Sequence, residues 1–175
     1  MKLQGSRCAL RRWRRGDEDA LVRYASNRKI WRNLSDRFPH PYTLDVAREW
    51  IELRANDTPP YANFCITVGD EAIGATGFDV LSDIHRIVAR AGYWLGEPFW
   101  GRGIATEAFS LLRDYAFASF PDIHRIEATV FEWNPASMRV LEKCGFALEA
   151  RMRKAVMKDG EVIDQFLFAR VRDSS

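Results

Sequence analysis

The stretch from Ala89 to Phe117, ARAGYWLGEPFWGRGIATEAFSLLRDYAF, constrains this chain more than any other. Gly92-Tyr93-Trp94-Leu95 is β-prone and aromatic. Trp100-Gly101-Arg102-Gly103 is a turn, and from Ile104 the apolar residues Ala105, Ala108, Leu111, Leu112 and Tyr115 recur at helical spacing. The reading is strand, glycine turn, helix. A helix that opens from glycines presents several unpaired backbone N–H groups in one direction, and its dipole adds partial positive charge there. Gly101 and Gly103 can take positive φ and admit a phosphate-like anion close to the main chain, while Thr106 can add a hydroxyl and Arg102 a charge. The same turn could equally be a plain connector, so spacing alone leaves both readings open.

The elements around this stretch follow from local signals. Arg7 to Trp13 suits a first strand, and Gly16-Asp17 starts a helix to about Asn27 with Asp17, Glu18 and Asp19 in its first turn. Asn33 to Tyr42 holds two prolines and reads as a loop, after which Thr43 can cap a helix from Leu44 to about Ala55. Asn63 to Val68, Ala72 to Leu81 and Ile87 to Leu95 read as an antiparallel meander feeding the glycine turn. The helix from Ile104 to Ser119 crosses to a strand at Arg125 to Phe131, which makes the flanking strands a parallel pair. Pro135 fits the first turn of a helix capped by Asn134 and ended by Gly145, and Lys158-Asp159-Gly160 joins Ala147 to Met157 and Glu161 to Val171 as a hairpin. The expected fold is α/β with a mixed, largely antiparallel central sheet and about four helices.

At 175 residues the chain suits a single domain spanning 1–175, large enough to bury about 70% of the surface its unfolded form exposes. A formal charge of +2 makes no general electrostatic case for nucleic acid, although Arg7, Arg11, Arg12, Arg14 and Arg15 form a local basic cluster. That cluster reads as the solvated side of an edge strand, with a ribosomal or nucleic-acid contact as the lesser alternative. Cys8, Cys65 and Cys144 are odd in number and widely spaced, which argues against a disulfide framework or a zinc site and for a reducing compartment. No apolar run reaches the ~18 residues of a membrane span and no signal peptide opens the chain, so the expectation is a soluble cytoplasmic protein, monomeric or homodimeric.

Two blocks carry a resemblance. Gly92-Tyr93-Trp94 followed by Trp100-Gly101-Arg102-Gly103-Ile104-Ala105-Thr106-Glu107-Ala108 resembles the acetyl-CoA-binding motif of the GCN5-related N-acetyltransferases, the GNAT superfamily, in the wording of its RimJ/RimL-like branch. The general motif is Arg/Gln-x-x-Gly-x-Gly/Ala. Gly103 and Ala105 match it, whereas Trp100 stands where arginine or glutamine is usual. Downstream, Asn134-Pro135-Ala136-Ser137-Met138-Arg139-Val140-Leu141-Glu142-Lys143-Cys144-Gly145-Phe146 resembles the branch's Asn-x-x-Ser-x-x-Val-Leu-Glu-Lys-x-Gly-Phe segment.

The resemblance implies a GNAT-like fold with a splayed parallel strand pair and acetyl-CoA as cofactor. It implies that Tyr93, Trp94 and Leu95 pair with the pantetheine arm and that Gly101, Arg102, Gly103, Ile104, Ala105 and Thr106 hold the pyrophosphate. Asn134 would contact the cofactor as well as cap its helix. Where many relatives carry a proton-donating tyrosine, this chain has Leu141. Ser137 lies one turn earlier on the same helical face and is the candidate donor to the leaving thiolate, or else merely satisfies the helix start. Where many relatives carry a basic glutamate on the strand before the turn, this chain has Arg90. That leaves Glu97, Glu127 and Glu132 as candidate bases, with His40 and Tyr42 as further candidates on the acceptor side.

The implied activity is acetyl transfer to a primary amine, a protein amino terminus or a small-molecule amine, directly within a ternary complex. An active site poor in obvious bases leans towards α-amines, whose pKa near 7.7–8.0 leaves roughly 10–20% neutral at pH 7, over lysine, which costs about 4.6 kcal/mol to deprotonate. Leu141 and Arg90 also keep open a catalytically silent acyl-CoA-binding module, and the amino-terminal arginines a ribosome-binding protein without enzymatic role.

Overall fold

The computed structural model describes residues 1–173. The chain runs β1 (Lys2–Gln4), β2 (Ala9–Arg11), α1 (Glu18–Ala25), α2 (Arg28–Trp31), α3 (Leu44–Ala55), β3 (Asn63–Val68), β4 (Glu71–Val80), β5 (Val88–Leu95), α4 (Ile104–Ser119), β6 (Arg125–Phe131), α5 (Pro135–Lys143), β7 (Ala147–Lys158) and β8 (Glu161–Val171). One eight-stranded sheet has the order β1-β2-β3-β4-β5-β6-β8-β7. Every neighbouring pair is antiparallel except β5 and β6, the strands that α4 connects.

Helices cover both faces, and strand alternation decides which face each side chain serves. On β3, Phe64 and Ile66 enter a core built with Phe109 and Leu112 of α4 and Leu141 of α5. Cys65, between them, enters a second core with Leu21 of α1 and Ala47 and Ile51 of α3. Of the apolar stripe read from the sequence on α4, Ala108, Leu112 and Tyr115 are buried while Ala105 and Leu111 are half-buried, and Ile104, Phe109 and Ala116 complete the buried face. Each large buried side chain among them stabilises the fold by about 1.5–3 kcal/mol.

The structure corrects the amino-terminal reading. The strand expected over Arg7 to Trp13 is only Ala9–Arg11, and it is no edge, because β1 pairs along it from Lys2↔Arg11 to Gln4↔Ala9. The basic cluster is largely consumed internally. Arg11 donates two hydrogen bonds of 2.7 Å to the buried Asp17 carboxylate, Arg12 stacks 4.5 Å from the Tyr61 ring, Arg14 pairs with Asp70, and Arg15 with Glu52 at 3.1 Å. Because Asp17 is committed to Arg11, it gives α1 no side-chain cap. A fifth helix, α2, was not foreseen; Asn27 starts it by accepting from the Lys29 N–H at 2.9 Å.

The β7–β8 hairpin tip is pinned onto α2. Lys158 is buried, lies 3.7 Å from the centre of the Trp31 ring and donates to Asp36 at 2.7 Å, while Asp159 pairs with Arg28. At the other end of the sheet, Glu107 in α4 fastens the loop between β1 and β2. Its carboxylate accepts from the N–H groups of Ser6 (2.9 Å), Arg7 (2.7 Å) and Cys8 (2.9 Å) and from the Ser6 hydroxyl (2.6 Å). Burial pushes the Glu107 carboxyl upward, but these hydrogen bonds outweigh it and hold the pKa at about 2.

A carboxyl depressed by folding contributes stability above its unfolded value, and that contribution is lost as pH falls through the folded one. Glu107→Gln is therefore expected to destabilise the protein by about 2 kcal/mol at neutral pH. The gap to wild type should narrow as pH drops from 4.5, the ordinary glutamate value, towards 2. Chemical denaturation of both proteins across that range checks this; a gap independent of pH would contradict it.

Candidate active site

β5 and β6 pair at only three positions, Val88↔Arg125, Ala89↔Ile126 and Arg90↔Glu127. Beyond them the strands part. β5 continues against β4 as far as Leu95, and β6 continues against β8 as far as Phe131. Alternate main-chain groups of Ala91 to Leu95 and of Ala128 to Phe131 thus border a gap without a strand to pair with.

The glycine turn sits at the mouth of this gap. After Leu95 a 3-10 turn, Glu97–Phe99, leads to Trp100, whose indole N–H donates to the Leu95 carbonyl at 2.7 Å and ties the turn back to the strand. Gly101 and Gly103 have φ of 70° and 75°, in the left-handed region that favours glycine. Gly103 caps α4 without a side chain, and the first helical bond runs from the Glu107 N–H to the Gly103 carbonyl. Among the described residues, the N–H groups of Gly101 to Thr106 have no hydrogen-bond acceptor. They form a nest of open donors at the positive end of the helix.

The gap and the turn line one cleft of about 450 Å³, within the range of small-molecule sites. Tyr93, Trp94, Leu95, Gly101, Arg102, Gly103, Ile104, Ala105, Thr106, Asn134 and Ser137 all border it, so every residue expected to touch the cofactor is brought together. The Tyr93 hydroxyl donates to Ser137 Oγ at 3.1 Å, across the gap from β5 to α5. Burial pushes the Tyr93 phenol up to about 12, with the Ser137 contact opposing. Asn134 Oδ1 accepts from the Ser137 N–H at 3.3 Å and so caps α5 while lining the cleft.

The expected bases are not in the cleft. Glu127 is buried beside Arg90 (2.8 Å) and Arg125 (3.4 Å), at the closed end of the strand pair. Glu97 lies in the 3-10 turn, bonded to Lys29 and to the Asn27 side chain at 2.8 Å, and the Lys29 bond holds its carboxyl below the usual range. Glu132 accepts from the Asp164 N–H at 3.0 Å. His40 stacks beside Trp31, Tyr42 is buried against Phe38, and neither borders the cleft. Leu141 of α5 is buried and borders the cleft with a side chain that cannot donate a proton.

Other cleft residues were not anticipated. Arg139 and Lys143, one turn apart on α5, join Arg102 in the lining, and Lys29 of α2 with Asn33 and Leu34 just after it add to it. Among the described residues lining the cleft, four carry positive charge and none is Asp or Glu. Arg139 and Lys143 share a helical face with each other but lie two and six residues from Ser137, so the spacing that picked out the serine did not flag them. Nothing local flagged α2, which is too short to show a period.

The cofactor implied by the sequence fits this chemistry. Acetyl-CoA has a polyanionic end, which the open N–H nest and cationic lining suit, and an arm of amides, which unpaired strand edges suit. A side chain at Gly101 or Gly103 would need the left-handed backbone conformation that only glycine adopts without strain.

Comparison with known proteins agrees. The acetyltransferase (GNAT) domain family matches residues 7–147. The probable N-acetyltransferase YjcK of Bacillus subtilis is 51% identical over 149 residues, covering 82% of this chain and 81% of its own. The N-acetyltransferase p20 of Bacillus licheniformis is 34% identical over 176 residues, covering 97% and 96%. Among solved structures, RimL, the ribosomal L7/L12 alpha-N-protein acetyltransferase in complex with coenzyme A, superposes with a TM-score of 0.83 at 25% identity over 98% of both chains. The chain belongs to the GNAT acetyltransferases, in the RimJ/RimL-like branch, and is an N-acetyltransferase of a family that draws its acetyl group from acetyl-CoA.

Proposed function

We propose that residues 1–175 form one N-acetyltransferase domain that acetylates α-amines, protein amino termini first among them, by direct transfer in a ternary complex. Acetyl-CoA supplies the acetyl group as an activated thioester. In this reading the N–H groups of Arg102 to Thr106 bind the diphosphate, and the open main-chain edge of Tyr93, Trp94 and Leu95 pairs with the pantetheine amides. Asn134 adds a contact while capping α5. Ser137 Oγ hydrogen-bonds the departing sulfur as the C–S bond breaks and relays to it the proton that the attacking amine nitrogen gives up, so that the serine ends the step as a hydroxyl.

The observation that carries the reading is the Tyr93–Ser137 hydrogen bond, 3.1 Å long, spanning the gap beside the unpaired strand edges. Tyr93, with its phenol pushed up to about 12, stays protonated at working pH. As a standing donor to Ser137 Oγ, it leaves the serine's own hydrogen free to point into the cleft. The pair thus supplies a hydroxyl donor where Leu141 cannot, and it favours turnover over a silent acyl-CoA-binding module.

The acceptor class rests on the cleft's chemistry. A lysine ammonium must lose a proton that no carboxylate or imidazole lining the described cleft is placed to take. An α-ammonium is already partly neutral at pH 7. Cationic surroundings also disfavour polyamines and aminoglycosides, which need carboxylate partners. The similarity to RimL, named as acting on a protein α-amine, supports the same choice.

Two outcomes are expected. At pH 7, a peptide with a free amino terminus should be acetylated at least about a hundredfold faster than an amino-blocked peptide bearing lysine, following their neutral fractions; a lysine side chain as best acceptor contradicts the reading. Ser137→Ala should lower kcat about tenfold or more while the Kd for acetyl-CoA holds. Unchanged kcat would remove Ser137 from the mechanism.

A further inference from the structure

Arg7 stands apart from the other amino-terminal arginines. Among the described residues its guanidinium makes no ion pair and no side-chain hydrogen bond, whereas Arg11, Arg12, Arg14 and Arg15 all do. Its backbone is nonetheless fixed. Glu107 accepts the three successive N–H groups of Ser6, Arg7 and Cys8, and the Gly5 N–H donates to the Cys8 carbonyl at 2.9 Å, closing a tight loop. The loop seats so closely that a Cβ on Gly5 would lie 2.5 Å from the Glu107 carboxylate.

From this anchor the Arg7 side chain runs over the glycine turn, with Nε 3.3 Å from where a Cβ of Gly103 would stand. A guanidinium is therefore held near the positive end of α4 and its open N–H groups, and the nearest carboxylate, Glu107, is spent on the loop's main-chain N–H groups and makes no ion pair with it. An anion on the turn would be attracted by both the guanidinium and the helix end. Arg102, on the turn itself, carries the neighbouring charge, with its guanidinium 5.8 Å from the Phe99 ring centre.

We propose that Arg7 is a diphosphate-binding residue, a cationic arm that Glu107 holds beside the glycine turn on the loop between β1 and β2. The proposal rests on the reading of the cleft as the acetyl-CoA site and adds a residue outside both sequence blocks. A planar guanidinium with five donors can bind a phosphate in bidentate fashion while the turn's N–H groups bind the other oxygens. Glu107 acts as a positioning residue, holding the loop through main-chain bonds without touching the cofactor.

The test is calorimetric titration of Arg7→Ala and Arg7→Lys with CoA and with dephospho-CoA, which keeps the diphosphate but lacks the 3′-phosphate. Arg7→Ala should weaken both ligands by about tenfold and by the same factor, with the ligand-free unfolding midpoint unchanged because the side chain is exposed. Arg7→Lys should recover part of the loss. Equal affinity of Arg7→Ala and wild type overturns the proposal. A loss seen with CoA but not dephospho-CoA overturns the diphosphate assignment. Failure of wild type to bind CoA at all would instead remove the cleft reading on which the proposal stands.

Discussion

The structure depends on a brief pairing. β5 and β6 are parallel neighbours for three residue pairs and then diverge, each retained by its other neighbour. A sheet can tolerate such a breach only if the rest of it is held firmly, because unpaired main-chain groups carry a cost unless something occupies the gap. Here the hold comes from α4, whose buried stripe packs against residues from strands on both sides of the breach, and from the Trp100 indole, which fixes the glycine turn to the end of β5. The breach and the helix end that opens beside it are consequences of one connection, the crossover through α4.

Electrostatics finishes what the topology begins. Carboxylates near the cleft are each committed elsewhere: Glu127 to Arg90 and Arg125, Glu97 to Lys29 and Asn27, Glu107 to the amino-terminal loop. The described lining is left with Lys29, Arg102, Arg139 and Lys143 and no acid. Such a cleft suits a polyanionic cofactor and asks little proton abstraction of the protein, which fits an acceptor amine of low pKa. Arg90 and Glu127 illustrate the exchange. With arginine on β5 and glutamate facing it in register on β6, the acid serves to fasten the closed end of the strand pair.

Features with a strong local signature were legible in the sequence. The glycine turn, the Asn134-Pro135 start of α5 and the Asp159-Gly160 hairpin each combine a special backbone conformation with a residue that permits it, and the structure has them where the sequence put them. The cofactor-side residues came into one cleft for the same reason. Misread were features set by distant partners. The Arg7 to Trp13 segment alternates like an edge strand, but β1 pairs with its Ala9–Arg11, and Asp17, Asp70 and Glu52 take the charges of Arg11, Arg14 and Arg15. Glu97 and Glu127 looked like free carboxylates because nothing in their neighbourhoods announces Lys29 or Arg90, which lie 68 and 37 residues away. The α2 helix is held by its cap and by Lys158 from the far hairpin, not by its own periodicity.

The central claim is that the glycine turn and the breached strand pair together bind acetyl-CoA. Thermal unfolding of wild type and of Gly103→Val, with and without acetyl-CoA at about 100 times its dissociation constant for wild type, tests it most directly. Binding at that saturation adds about 2.7 kcal/mol, which for a domain of this size raises the midpoint by roughly 5–10 °C. Wild type should show that shift, and the valine variant, whose left-handed position and close approach are spoiled, should lose it. No shift in wild type, or an equal shift in both proteins, would mean that the turn is only a connector between strand and helix.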